Sequence, residues 1–148
     1  MPHMPRIPKM LEQTFRVHSV LQLSLMLVVA AVIERNQKIL IGQRKRNGNH
    51  PLKWEFPGGK VEPGEAPKDA LERELKEELA IKAKIGPELD RYDVQYGDGP
   101  LTHLIFYQVT SFEGEPQNLN FEQIQWESKS RLTEYDFLSG DQPFLEKL

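Results

Sequence analysis

Three glutamates near the middle of the chain have a spacing at which carboxylates can act together. Glu74, Glu77 and Glu78 are three and four residues apart, which places side chains on one face of a helix. Like charges at these spacings repel one another, so we expect a cation among them. Carboxylate oxygens suit Mg²⁺ or Mn²⁺ better than zinc. The spacing therefore predicts a divalent-metal site.

A glycine turn and a helix must position these carboxylates. The turn at Gly58-Gly59 lets the backbone approach a ligand closely, because glycine has no side chain in the way. The helix is predicted to begin near Pro67, since proline is tolerated at a first helical position, and to end around Leu79. Its apolar stripe lies beside the acidic arc and consists of Leu71, Leu75 and Leu79.

The spacing resembles the Nudix box, a pattern of Gly, five residues, Glu, seven residues, then Arg-Glu-apolar-x-Glu-Glu-x-Gly-apolar. One position departs from it, because Ala80 stands where the family usually has glycine at the helix end. That place often needs a left-handed backbone, so Ala80 predicts a different helix exit or mild strain. The resemblance continues through residues 54–57 and, more loosely, over residues 24–145. The matching positions are Gly59, Glu65, Arg73, Glu74, Leu75, Glu77, Glu78 and Ile81.

The resemblance implies a fold, a cofactor and roles for the box residues. The fold is α/β (α+β), an α/β/α sandwich with a mixed central sheet. The implied reaction is hydrolysis of a nucleoside diphosphate linked to another group, with Mg²⁺ as cofactor and Mn²⁺ as its substitute. The implied metal ligands and catalytic groups are Glu74, Glu77, Glu78 and the Gly58 carbonyl. Gly59 and an Arg73–Glu65 pair that clamps the preceding loop to the helix are structural.

Residues 54–60 look like those of the MutT-type branch, which cleaves (deoxy)nucleoside triphosphates to a monophosphate and pyrophosphate. By this resemblance Arg44, at the end of a strand, helps to bind the nucleotide; its alternative is a solvated cation. Phe56 flanks the base or packs in the core. Asp141 reads the base edge, caps the terminal helix, or does both.

The substrate remains open among 8-oxo-dGTP, CTP and similar triphosphates. An ADP-ribose or dinucleoside polyphosphate hydrolase is the alternative of the same class. A catalytically weak Nudix domain that binds a nucleotide or a partner is the alternative of another class.

The water-activating group is where this sequence departs from the resemblance. Similar proteins carry an acidic residue six positions before the late-strand tryptophan, but counting back from Trp126 gives Asn120. Glu122 lies on the same face as Asn120 if this segment is extended, and there it could act as the general base. Otherwise Glu122 is a solvated loop residue and a box glutamate is the base.

Composition limits the remaining possibilities. The 148 residues suffice for one domain, with residues 1–18 as an N-terminal extension and 19–148 as the Nudix domain. A net charge of −3 gives no broad basic surface for duplex nucleic acid. The absence of cysteine excludes disulfides and thiolate-bound metals, and a cytoplasmic location is the default expectation. The protein is expected to be a monomer or a homodimer.

The apolar run over residues 20–33 has two interpretations. It has the length of a signal-peptide core but is too short to span a membrane, and it also fits a buried strand. We favour the strand and expect it to form a hairpin with residues 38–44 through a turn at 34–37. Further strands are predicted at residues 53–56, 81–85, 89–94, 102–112 and 123–127, with helical segments at 130–136 and 142–148.

Overall fold

The computed structural model describes residues 25–148. In this part of the chain the larger sheet has four strands in the order β5-β1-β7-β6. The central strand β1 (Met26–Val32) runs parallel to β7 (Leu101–Glu113) and antiparallel to β5 (Gly58–Lys60). At the edge, β6 (Lys82–Gln95) pairs antiparallel with β7. The sheet is therefore mixed, as predicted.

A second four-stranded sheet is organised around β3 (Lys38–Gln43) within the same described residues. This strand pairs antiparallel with β2 (Glu34–Arg35), β4 (Trp54–Glu55) and β8 (Gln123–Ser128). The glycine turn after β4 leads into β5, so residues 54–60 connect the two sheets.

Helices cover both faces of the larger sheet. The main helix α1 (Pro67–Leu79) begins with proline and buries its leucine stripe against one face. The short helix α2 (Gln142–Lys147) places Phe144 in the core on the other face. Two 3-10 segments, Lys129–Glu134 and Ser139–Asp141, precede α2. The predicted layered fold with a mixed sheet is confirmed.

Both faces of β1 are buried, which explains the unbroken apolar run in the sequence. Val29 and Ala31 pack towards α1, whereas Ala30 and Val32 pack in a cluster that contains Phe106. The strand interpretation of this run is thus confirmed for Met26–Val32. Among residues 25–148, no helix is long and apolar enough to cross a membrane.

The predicted hairpin between residues 21–33 and 38–44 is wrong as a pairing. β1 and β3 belong to different sheets, because the chain passes from one sheet to the other after Ile33. The turn itself is present, with positive φ at Asn36 and Gln37, but it joins only the short β2 to β3. Positive φ at both turn residues suits a tight two-residue hairpin.

The strands predicted at 81–85 and 89–94 are one strand, β6, whose pairing with β7 shifts in register between Lys84 and Asp90.

At the end of helix α1, Ala80 has φ 57° and ψ 33°, and its N–H donates to the Lys76 carbonyl at 3.1 Å. The helix therefore ends in the left-handed conformation that glycine favours. The structure shows the strained alternative for Ala80, at a cost of about 1 kcal/mol.

Candidate active site

Helix α1 carries two of the three box glutamates to the glycine strand. Glu74 and Glu78 are one turn apart, next to the buried leucine stripe, and therefore face β5. A Cβ atom added to Gly59 would lie 2.4 Å from the Glu74 carboxyl carbon. Glycine at this position leaves the space that the Glu74 carboxylate occupies.

Glu78 is a buried carboxylate with an unused acceptor. Its side chain is 9% exposed, and its Oε1 atom has no hydrogen-bond partner among the described residues. Burial, and then the charges of Glu74 and Glu55, raise its pKa to about 9. A bound cation would supply the missing partner for Oε1 and favour the ionised form. The donor set is all oxygen, so the residues fit a hard divalent metal.

Glu77 differs from its two neighbours. Its side chain is 59% exposed, and its Oε2 atom lies 3.4 Å from a terminal nitrogen of Arg73. Among residues 25–148, no three acidic or histidine side chains converge as a ready metal cluster. The single arc predicted for the three glutamates is thus divided: Glu78 is buried and Glu74 packs against Gly59, whereas Glu77 is exposed.

Arg73 forms the bidentate pair predicted from the sequence. Its Nε donates to Glu65 Oε2 at 2.8 Å and a terminal nitrogen donates to Glu65 Oε1 at 2.9 Å. These bonds lower the pKa of Glu65 to about 2. Arg73 also donates to the Lys60 carbonyl at 3.1 Å and to Glu74 Oε1 at 3.0 Å. The long side chain of Arg73 therefore contacts the acidic arc at Glu74 as well as the preceding loop.

A cavity of about 340 Å³ opens beside these carboxylates. Glu78, Gly58 and Gly59 lie at one end, and the inner face of the larger sheet forms the floor. The other lining residues are Met26, Val28, Val29, Ala30, Arg44, Asn49, His50, Glu55, Phe56, Lys60, Tyr96, Thr102, Leu104, Asn120, Leu138 and Asp141. This volume is in the range of pockets that bind small molecules.

Arg44 lies in the cavity wall, as the nucleotide-binding hypothesis requires. Its Nε donates to the Asn49 carbonyl at 2.8 Å, and one terminal nitrogen donates to Glu55 Oε1 at 3.0 Å. Burial raises the pKa of Glu55, and Arg44 opposes that shift. Glu55 is not among the site residues predicted from the sequence, although its position between Trp54 and Phe56 in a predicted strand is a signal for it.

Asp141 is a buried acid in the cavity wall. It is 4% exposed, and its Oδ2 atom accepts a hydrogen bond from the Phe56 N–H at 3.2 Å. Burial first, and then the charge of Glu55, raise its pKa to about 8. Asp141 precedes α2, but its side chain makes no capping bond. The capping alternative is therefore wrong, because the carboxylate is directed to Phe56.

Phe56 packs in the core. Its ring is 2% exposed and lies with centroids 5.9 Å from Phe106, 5.3 Å from Phe137 and 5.6 Å from Phe144. The residue also belongs to the cavity lining. The geometry favours the core alternative over the base-flanking one.

Asn120, rather than Glu122, reaches the acidic end of the cavity. The loop before β8 binds the last carbonyls of α1, with Leu119 N–H donating to Glu78 O at 3.0 Å. This brings Asn120 Nδ2 to 3.3 Å from Glu78 Oε2. Glu122 is exposed and accepts a hydrogen bond from the Arg46 N–H at 3.3 Å. The expectation that Glu122 approaches the cavity is not met, because its carboxylate is directed to the loop after β3.

We therefore expect Glu122→Gln to leave kcat within about twofold of the parent, since general-base catalysis would contribute about 10²–10⁴-fold. Steady-state kinetics at saturating metal measures this. The matched control is Glu115→Gln, another exposed glutamate in the second half of the chain. A hundredfold lower kcat in Glu122→Gln, with no such change in Glu115→Gln, would show that Glu122 acts in catalysis.

Comparisons with known proteins agree with this architecture. Residues 24–148 match the family model described as the NUDIX domain. The chain is 40% identical over 119 residues to the CTP pyrophosphohydrolase of Escherichia coli K12, covering 80% of this chain and 87% of that one. It is 33% identical over 124 residues to the 8-oxo-dGTP diphosphatase of the same organism, covering 84% and 95%.

A solved structure shows the same fold. The crystal structure of a MutT NUDIX hydrolase from Burkholderia pseudomallei superposes with a TM-score of 0.76 at 27% identity, covering 84% of this chain and 98% of that one. The fold and the box geometry define a Nudix domain. The chain belongs to the Nudix family.

Proposed function

We propose that this protein hydrolyses (deoxy)nucleoside triphosphates to a nucleoside monophosphate and pyrophosphate, with Mg²⁺ as cofactor and Mn²⁺ as its substitute. The observation that carries the proposal is an oxygen of buried Glu78 that has no hydrogen-bond partner among residues 25–148 and lies in the wall of a cavity large enough for a small molecule. The relatives named for CTP and 8-oxo-dGTP support this substrate class. Nudix hydrolases generally depend on a divalent metal.

The acidic end of the cavity would hold the metal and the phosphates. A bound Mg²⁺ would neutralise phosphate charge and lower the pKa of a water molecule. Glu78 and Gly58, which line the cavity, would offer a carboxylate and a backbone carbonyl to the metal. Glu74, packed against Gly59, and the exposed Glu77 would offer further carboxylates from the same helix. Because Asn120 is neutral and Glu122 is directed elsewhere, we assign proton acceptance from water to Glu74 or Glu78.

The wall opposite the sheet would bind the nucleoside. With its pKa raised to about 8, Asp141 is mostly protonated at neutral pH, so it can donate one hydrogen bond and accept others. Phe56 N–H engages Oδ2, and we assign the other oxygen to the base edge. Arg44, held by Glu55 and the Asn49 carbonyl, provides a fixed positive charge for the nucleotide.

A nucleotide panel tests this function. We expect the protein to convert CTP, dCTP or 8-oxo-dGTP to the monophosphate and pyrophosphate with Mg²⁺, and to lose activity in excess EDTA. Product identity is read by ion-exchange chromatography and a pyrophosphate-specific assay. A Glu78→Gln preparation, purified in parallel, controls for contaminating phosphatases.

Three results would contradict the proposal. A nucleoside diphosphate product would place cleavage at the γ-phosphate. Preference for ADP-ribose or a dinucleoside polyphosphate over every triphosphate would assign the protein to another Nudix class. Binding of nucleotides without turnover would indicate a binding module.

A further inference from the structure

Thr102 is a buried polar residue on the cavity floor. It lies on β7, opposite Met26 of β1 and Val94 of β6. The residue is 3% exposed, and its hydroxyl oxygen is buried without a hydrogen-bond partner among residues 25–148. Glu78 Oε1 is the other side-chain atom of this kind in that part of the chain, and it lines the same cavity.

The surroundings of the hydroxyl on this floor are apolar. Alternate residues of a strand share a face, so Thr102 lies on the same side of β7 as Leu104. Their register partners on β1, Met26 and Val28, also line the cavity. A valine would fill this position with nearly the same shape and without an unpaired hydroxyl. A buried polar group without a partner is destabilising, and the usual explanation is a ligand or a functional role.

We propose that the Thr102 hydroxyl forms a hydrogen bond with the nucleoside part of the bound nucleotide and helps to determine specificity. This assignment rests on the proposed triphosphate hydrolysis.

The position of Thr102 supports contact with the nucleoside rather than the phosphates. β5, which carries Gly59, and β7 lie on opposite sides of β1, so Thr102 and Gly59 are two strand spacings, about 10 Å, apart across the sheet. Their partners on β1 are Met26 and Val29, which adds a separation of about 10 Å along the strand. A nucleotide whose phosphates lie at Glu78 would extend its sugar and base in this direction.

Asp141 lies near the same end of the cavity. Tyr92, the register partner of Leu104, donates its hydroxyl hydrogen to the Gly140 carbonyl at 2.7 Å. This bond holds the residue before Asp141 over the sheet, two residues along β7 from Thr102. The nucleoside would then meet one buried acid in the wall and one hydroxyl in the floor.

Thr102→Val tests the assignment, because it removes the hydroxyl and keeps the shape. We expect the Tm of the free protein to rise by about 2–4 °C, since a buried unpaired group is lost. With the best triphosphate of the panel, KM should rise about three- to tenfold while kcat changes less than twofold. Inhibition by pyrophosphate, which contacts only the phosphate end, should be unchanged. Thr102→Ser should restore KM, and Thr110→Val on the same strand is the exposed control.

An unchanged KM in Thr102→Val would overturn the assignment, as would a lower Tm with unchanged KM, which would reveal a structural partner. An equal weakening of pyrophosphate inhibition would place the effect at the phosphate end and overturn it as well. A parent protein inactive on every triphosphate would instead contradict the proposed function itself. The activity of the parent protein on triphosphates therefore distinguishes a failure of the Thr102 assignment from a failure of the proposed function.

Discussion

Glu78→Gln is expected to lower kcat by about 10²–10⁴-fold while the protein stays folded. With a metal bound, Glu78 would be ionised beside Glu74, and the change would then remove one negative charge and almost no volume. A neutral amide is a weaker metal ligand and cannot accept a proton from water. Both proposed roles of Glu78 are therefore lost together.

We expect the lower kcat of Glu78→Gln to arise without a loss of folding stability. The folded protein favours the protonated form of Glu78, because burial and Glu74 raise its pKa to about 9, and glutamine resembles that neutral form. Asn120 Nδ2 can still donate to the amide oxygen. We expect Tm to stay the same or rise.

The measurements are steady-state kinetics, thermal unfolding with and without Mg²⁺, and Mn²⁺ binding followed by EPR. In the parent, Mn²⁺ binding and the rise of Tm with metal should both be stronger than in Glu78→Gln. Glu72→Gln, an exposed change on the same helix, is the matched control. Unchanged turnover and unchanged Mn²⁺ binding in Glu78→Gln would reject this cavity as the active site.

The helix and its glutamates could be predicted because their pattern is local. The spacing of Leu71, Leu75 and Leu79 gives the buried face of α1, and the same periodicity places Glu74 and Glu78 beside it. The periodicity cannot say how deep each carboxylate lies. Glu78 is buried and Glu77 is exposed because of the sheet that packs against one side of the helix.

Strand pairing was less predictable because it is not local. The sequence predicts strands at residues 21–33 and 38–44 with a turn between them, which favours a hairpin. The actual partner of β1 on one side is β7, more than 70 residues later, and the parallel pairing leaves no turn signal. The apolar character of both faces of β1 was the available indication of a central strand.

The cavity wall was the least predictable part of the site. Glu55 and Thr102 come from two strands of different sheets and Asn120 from the loop before β8, so their meeting depends on the packing of both sheets. Asn120 had been noticed only as a departure from the resemblance. Its contact with Glu78 follows from the loop that binds the carboxyl end of α1, a tertiary feature that residue spacing does not encode.

Arg73→Lys is expected to lower kcat/KM by about 10²-fold with only a small fall in Tm. The guanidinium bonds both oxygens of Glu65, the Lys60 carbonyl and Glu74 Oε1, and it approaches Glu77. A lysine ammonium keeps the charge but cannot span these acceptors. The loop after β5 and the Glu74 carboxylate would then no longer be held in a fixed position relative to each other. A displacement of catalytic groups by about 1 Å can lower activity by about 10²-fold. The site is partly exposed, so the stability loss should be about 1 kcal/mol or less.

Arg91→Lys is the matched control, because Arg91 also forms a bidentate pair with a glutamate, Glu88, but does not line the cavity. Kinetics and thermal unfolding of both variants should show loss of activity only in Arg73→Lys. Activity within twofold of the parent in Arg73→Lys would mean that charge alone suffices at this position.

Glu65→Gln separates the two contacts of Arg73. If Arg73 acts by clamping the loop, Glu65→Gln should lower kcat/KM by a similar factor, and the double variant should lose little more than either single one, because both remove the same contact. If Arg73 acts chiefly by orienting Glu74, the factors by which the two single variants lower kcat/KM should instead multiply in the double variant. The bidentate geometry, with two bonds to Glu65 and one to Glu74, favours the clamp and hence the non-additive result.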